Sequence, residues 1–225
     1  MFSQNSILVI AAHPDDESLG LGGTIYSATQ SGKVVDVLLL SSGVGSREFD
    51  REDAHARLES SKRALTLLGC RQISVLDFPD NSFDSVGVLA IAKHIESKIN
   101  ELRPTTIFTN FHSDLNVDHR ITSEASLVAS RPKPGSSVNE LYFYEVLSST
   151  GWQFGAAQFK PNYYMDITRS IEKKLAALHE YKNEMDQSPN ARSLEAVRAL
   201  AKFRGHFIGF EYAEAFEIGF IRTNG

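Results

Sequence analysis

Short apolar runs alternate along this chain with longer stretches whose apolar residues recur at helical spacing. Residues 7–12, 34–41, 72–78, 105–111 and 140–146 read as strands, and the first is apolar at every position. The spacing predicts helices over 19–31, 51–68, 86–102 and 118–130. Gly32 and Gly69 stop the first two of these, and Pro104 and Pro132 lie just beyond the others. After the breaker-rich segment 131–137 the pattern loosens. There 147–162 reads as loop, 163–167 as a strand, 171–186 and 193–206 as helices, and 215–221 as a last strand.

Strands that alternate with helices and are apolar on both faces belong in a parallel sheet covered on both sides. The expected architecture is α/β: a Rossmann-like, doubly wound, mostly parallel sheet with helices on both faces. No repeat or linker interrupts it, so 1–225 is read as one domain. Ligands of such sheets bind outside the carboxyl ends of the strands. Reactive residues should therefore follow strands, and they do. His13, Asp15 and Asp16 follow the first strand, Ser41 to Arg47 the second, Asp80 the third, and His112 to His119 the fourth.

Charge and composition exclude some partners. The net charge is −5 and the basic residues form no run, which argues against nucleic acid or an anionic membrane as the main partner. No stretch approaches the roughly 20 apolar residues of a membrane span. The start, MFSQNS, lacks the basic region of a secretory leader. Cys70 is the only cysteine, so no internal disulfide can form; the expected compartment is the cytoplasm, and the expected place of Cys70 is against the core. A homo-oligomer is compatible with all of this.

The densest chemistry is His13-Pro14-Asp15-Asp16-Glu17. One imidazole and three carboxylates at the end of a buried strand are costly unless something uses them. His13 and Asp16 from this turn, with His119 from the start of the helix after the fourth strand, offer two imidazoles and a carboxylate. That is the donor set of a catalytic zinc site with an open position for water. Asp15, beside the proposed ligand, is placed to take a proton from an activated water as general base. Asp118 is expected to orient His119 or His112, or to cap the following helix. Gly20-Leu21-Gly22-Gly23 reads as close helix–sheet packing rather than a dinucleotide loop, because acidic residues stand where a pyrophosphate would sit. Asp80 and Arg47 lie on the same rim and are candidates for contacting substrate. Tyr144 and Trp152 are further substrate-side candidates, Trp152 as part of an aromatic wall or lid with its neighbours in 147–162. Two histidines and a carboxylate also form the facial triad of non-haem Fe(II) oxygenases. The parallel sheet and Asp15 favour hydrolysis over that reading, and over a non-catalytic sugar- or nucleotide-binding module.

The stretch Ala12-His13-Pro14-Asp15-Asp16-Glu17 resembles the signature of the PIG-L/LmbE-like zinc-dependent N-acetylglucosaminyl deacetylases. Asp114-Leu115-Asn116-Val117-Asp118-His119-Arg120 resembles the second metal-ligand motif of that family. The likeness runs on through Phe78-Pro79-Asp80, Phe143-Tyr144-Glu145 and Tyr212-Ala213-Glu214-Ala215-Phe216. It implies a Rossmann-like fold and hydrolysis of an N-acetyl group on an amino sugar or sugar conjugate. By motif, it implies one Zn2+ per chain held by His13, Asp16 and His119. It further implies Asp15 as base, Asp80 and Arg47 as substrate contacts, and Glu17 as a support of the loop. The chain departs from the pattern at Asn116, where many members carry a histidine that helps stabilise or protonate the intermediate. Asn116 can donate a hydrogen bond but cannot act as an acid. His112, or Asp15 moving both protons, is expected to fill that role.

Overall fold

The computed structural model describes residues 6–43, 51–152 and 157–223, with only the backbone of 51–54. Arg47 lies outside the described residues. The elements run β1 (Ser6–Ala11), α1 (Asp16–Gln30), β2 (Val34–Leu39), α2 (Arg51–Leu67), β3 (Gln72–Val75), α3 (Phe83–Val86), α4 (Val88–Leu102), β4 (Thr106–Asn110) and α5 (Val117–Ser130). Then follow β5 (Glu140–Tyr144), a 3-10 turn (Thr150–Trp152), β6 (Tyr163–Asp166), α6 (Ile171–Glu180), α7 (Leu194–Phe207) and β7 (Ala213–Ile221).

The strands form one seven-stranded sheet in the order β3-β2-β1-β4-β5-β7-β6. The first five pair in parallel, while β7 runs antiparallel to both β5 and β6. The expected doubly wound architecture is thus present, widened by an antiparallel margin. Alternate residues from β1 through Ala12 supply two cores. Ile7, Val9 and Ala11 pack with α1, α2, α6 and α7 on one face, and Leu8, Ile10 and Ala12 with α4 and α5 on the other. Burial on both faces explains why the first run is apolar at every position. Among the described residues no helix is long and apolar enough to cross a membrane. Cys70 packs against the first core, and burial pushes its thiol pKa up, with help from the charges of Glu17 and Asp36.

The differences from the sequence reading fall mostly at element ends. α1 begins at Asp16 rather than at 19, so a proposed ligand is itself in the first helical turn. The helix expected over 86–102 is α4, which starts at Val88; a separate short helix, α3, precedes it, and Gly87 at φ +85 parts the two. α6 stops at Glu180, six residues short of the expected end at 186, and 181–193 forms a loop closed on itself. The parallel strands are shorter than expected at their carboxyl ends, where the chain leaves the ladder for the rim.

The glycines of α1 do pack against the sheet and α6. A methyl on Gly20 would lie 2.3 Å from Tyr144 Cδ2, and one on Gly23 2.9 Å from Ile167. α1 breaks at Leu21, whose φ of −145 is not helical. The amides of Gly23 and Thr24 then donate to the Glu214 carboxylate, and the Leu19 carbonyl accepts from Lys174 Nζ.

Candidate metal centre

The chain winds outward through β1, β2 and β3 and returns on the other side of β1 as β4. The carboxyl ends of β1 and β4 therefore border the crevice where the winding direction switches, the usual ligand position in such sheets. Asn110, the last residue of β4, ties the two together. Its Oδ1 accepts from Ala12 N and Tyr144 OH, and its Nδ2 donates to Asp16 Oδ2.

His13, Asp16 and His119 are all buried here, and one ligand atom from each lies within 4.8 Å of the others. Asp16 Oδ2 is the hub, 3.1 Å from His119 Nε2 and 3.6 Å from His13 Nδ1. Each imidazole presents its other nitrogen to carboxylates. His13 Nε2 lies 3.0 Å from Asp118 Oδ2 and 3.0 Å from Asp80 Oδ1, and His119 Nδ1 lies 3.3 Å from Asp114 Oδ1. A carboxylate behind each histidine, with the opposite nitrogen turned inward, is the arrangement that orients histidine ligands and raises their basicity.

The electrostatics agree. Burial opposes charge on His13, but hydrogen bonds to Asp118, Asp16 and Asp80 prevail and hold its pKa well above the ordinary value. His119 is likewise raised, to about 9: burial opposes, while the charge of Asp16 and the hydrogen bond to Asp114 outweigh it. Asp16 is held well below the carboxylate range against its own burial, chiefly by His119. The carboxylates around the two imidazoles thus favour positive charge there. Two imidazoles and a carboxylate with convergent donor atoms fit a divalent cation such as zinc. A second group, His13, Asp80 and Asp118, also converges. Asp118, however, already accepts from Asn81 N and Phe83 N, which marks it as a support for His13.

Asp118 was expected to orient His119 or His112, or to cap α5. Instead it serves His13, Asp114 serves His119, and the cap is Asn116, whose Oδ1 accepts from Asp118 N and His119 N. The capped turn is what aims His119 inward. Thr150 Oγ1 donates to Asp114, and Ser149 Oγ lies 3.4 Å from His119 Nδ1, so the loop after β5 is fastened to the site.

Asp15 sits at φ +102, a conformation that non-glycine residues adopt only when the surroundings hold it. Glu17 does so: its Oε2 accepts from Asp15 N, while its Oε1 accepts from Ser18 Oγ and Tyr181 OH. Glu17 is fully buried, and burial is the main cause raising its pKa to about 7. The Asp15 carboxylate is 1% exposed and asymmetrically bound. Its Oδ2 pairs with Arg192 Nη2 and Arg57 Nη2, while Oδ1 has no hydrogen-bond partner among the described residues.

The remaining candidates divide. Asp80 reaches the cluster through His13. Trp152 is 56% exposed, on the turn that the fastened loop carries. Tyr144 lies beneath the site, wholly buried, with its hydroxyl donating to Ile10 O and Asn110; it packs rather than lines. His112 is turned toward Ser113 and Glu217, with its ring tilted against Phe111 and edge-on to Phe143, apart from the two convergent groups. Phe159, expected in the aromatic wall, packs edge-on to Phe111 under Arg204. The sequence reading missed Arg57 and Arg192. Neither lies in a motif, and each reaches Asp15 only through the tertiary fold.

Comparisons with known proteins bear on this geometry. A family model for PIG-L, described as GlcNAc-PI de-N-acetylase, matches residues 8–130. A diacetylchitobiose deacetylase of Thermococcus kodakarensis is 30% identical over 221 residues, covering 92% of this chain and 80% of that protein. A probable N-acetyl-alpha-D-glucosaminyl L-malate deacetylase 2 of Bacillus cereus is 24% identical over 191 residues, covering 81% of this chain and 85% of that protein. The N,N'-diacetylchitobiose deacetylase from Pyrococcus horikoshii, complexed with an inhibitor, has a similar fold. Its TM-score is 0.79 at 23% identity, over 96% of this chain and 84% of that one.

Proposed function

Because the chain belongs to the PIG-L family of de-N-acetylases, we propose that it hydrolyses the N-acetyl group of an amino sugar or sugar conjugate, with one zinc ion held by His13, Asp16 and His119. Family membership makes it a deacetylase of amino-sugar substrates; the metal, its count and the roles below are our reading. The observation that carries it is the convergence of three buried ligand atoms beside a carboxylate with one uncommitted oxygen.

A zinc ion bound there supplies a Lewis acid for the acetamide carbonyl and lowers the pKa of a bound water. Asp15 Oδ1 accepts the proton of the attacking water. The Asn116 amide has no acidic proton to give, and His112 faces Glu217, so Asp15 also returns the proton to the departing amine. Asp114 and Asp118 hold the two imidazoles in the tautomer and direction the site needs. Asp80 binds a sugar hydroxyl at the rim, and Trp152 offers its exposed ring to an apolar sugar face.

The test is metal content alongside acetate release from N-acetylglucosamine, N,N'-diacetylchitobiose and N-acetylglucosaminyl malate, with and without chelator. Near-stoichiometric zinc and chelator-sensitive acetate release are expected. Acetate release that survives complete removal of metal would overturn the metal reading.

A further inference from the structure

We propose that Arg192 is a positioning residue for the base, locking one oxygen of Asp15 so that the other alone is presented for proton transfer; this rests on Asp15 acting as the base. Arg192 comes from the loop between α6 and α7, which is organised around it. Its own N–H donates to Asn190 Oδ1, its carbonyl accepts from Asp186 N, and its Nε donates to the Glu184 carbonyl. Asn190 Nδ2 in turn donates to Asp186 Oδ2. From this frame Nη2 reaches Asp15 Oδ2, and Nη1 lies 3.4 Å from Ser148 Oγ on the loop fastened to His119.

Geometry gives that contact a purpose. The last torsion of an aspartate is a broad, roughly two-fold rotor. An untethered carboxylate therefore exchanges its oxygens and blurs the distance to the proton it must take. Asp15 is tethered at Oδ2 only, and Oδ1 is left without a partner among the described residues. Arginine suits the task because its planar fork holds Nε on one acceptor and Nη2 on another in a fixed relation; a lysine satisfies one at a time.

Arg57 also approaches Asp15 Oδ2, at 3.5 Å, but it is chiefly a backbone brace. Its guanidinium donates to the carbonyls of Gly43 and Pro14 and pairs with Glu184. Losing it would disturb the turn itself. Arg192 is the arginine whose one contact with the ligand-bearing turn is the Asp15 carboxylate.

The experiment uses the zinc-loaded full chain and the variants Arg192→Gln, Arg192→Lys, Asp15→Asn and Asp15→Asn/Arg192→Gln. It follows acetate release from N,N'-diacetylchitobiose and solves crystal structures of the wild type and the arginine variants. Arg192→Gln should lower kcat by about 10–100-fold with KM changed by less than about two-fold, as expected for a misplaced catalytic group. Arg192→Lys should recover part of the loss, and the double variant should be no slower than Asp15→Asn alone. In the crystals, the wild-type carboxylate should hold one orientation and that of Arg192→Gln should rotate or split. An unchanged single orientation in Arg192→Gln overturns the proposal whatever the substrate, as does a raised KM with intact kcat. If Arg192→Gln does not fold, Arg192→Lys gives the same readings on a charged side chain. Full activity of Asp15→Asn would sink the base assignment instead, while the crystallographic result on the tether would still stand or fall by itself.

Discussion

Two places along α1 bury opposite charges, and they are built on different plans. At the break near Leu21, Lys174 and Glu214 close a circuit. Glu214 takes the amides of Gly23 and Thr24, Lys174 takes the carbonyl of Leu19, and the two side chains pair at 2.6 Å. The bond from Gly23 N to Leu19 O that an unbroken helix would contain is replaced by a side chain on each half. At the start of the same helix, carboxylates crowd the two imidazoles, and Asp15 Oδ1 is left over. A buried charge network that closes on itself serves the fold. One that converges on a point and keeps an oxygen in reserve is arranged for something that is not part of the chain.

Breaking the closed network should have the largest effect on stability. Lys174→Met leaves Glu214 buried and unpaired, which should cost about 3–5 kcal/mol in urea unfolding. Turnover per folded molecule should stay within about two-fold, since no group of the centre is lost. A variant as stable as the parent would show that the circuit contributes nothing.

An intermediate effect is expected from the supports of the open network. Asp118→Asn should weaken zinc binding by about 10–100-fold in competition with a chromophoric chelator, and Asp114→Asn should do the same through His119. Unchanged affinity in both would mean that the imidazoles are aimed by their helix and turn alone.

The smallest effect belongs to the rim. Trp152→Ala should raise KM a few-fold and shift unfolding by less than about 0.5 kcal/mol, because its ring is mostly solvated. A loss of stability instead would make Trp152 a packing residue.

What could be read from the sequence follows the same division. His13, Asp15 and Asp16 are neighbours at the end of an apolar run, and His119 follows a stretch too polar for a simple connection, so local pattern exposes them. The alternation of strands and helices likewise announces the parallel sheet. The pairing of Asp118 with His13 and of Asp114 with His119 was hidden, because the two carboxylates stand close together in sequence and spacing cannot say which imidazole each one meets. Arg192 was hidden more deeply. It follows Pro189-Asn190-Ala191 in a stretch that reads as helix and then loop, and its target lies 177 residues away. The antiparallel turn of β7 depends on which strand edge is free, which periodicity does not encode.

The adjacency of β1 and β4 gives the chain an order of assembly. Two of the proposed ligands come from residues 13 and 16 and the third from residue 119, so the centre exists only after the whole crossover through β2 and β3 has been folded back. Closing that long loop costs entropy before any contact at the centre repays it. Metal affinity at full strength is then a report on tertiary structure, since a preformed site rarely exists in an unfolded chain. On the proposed ligand set, a nascent chain would capture zinc tightly only once β4 has docked beside β1. Occupancy would thus separate correctly wound molecules from those that are merely compact.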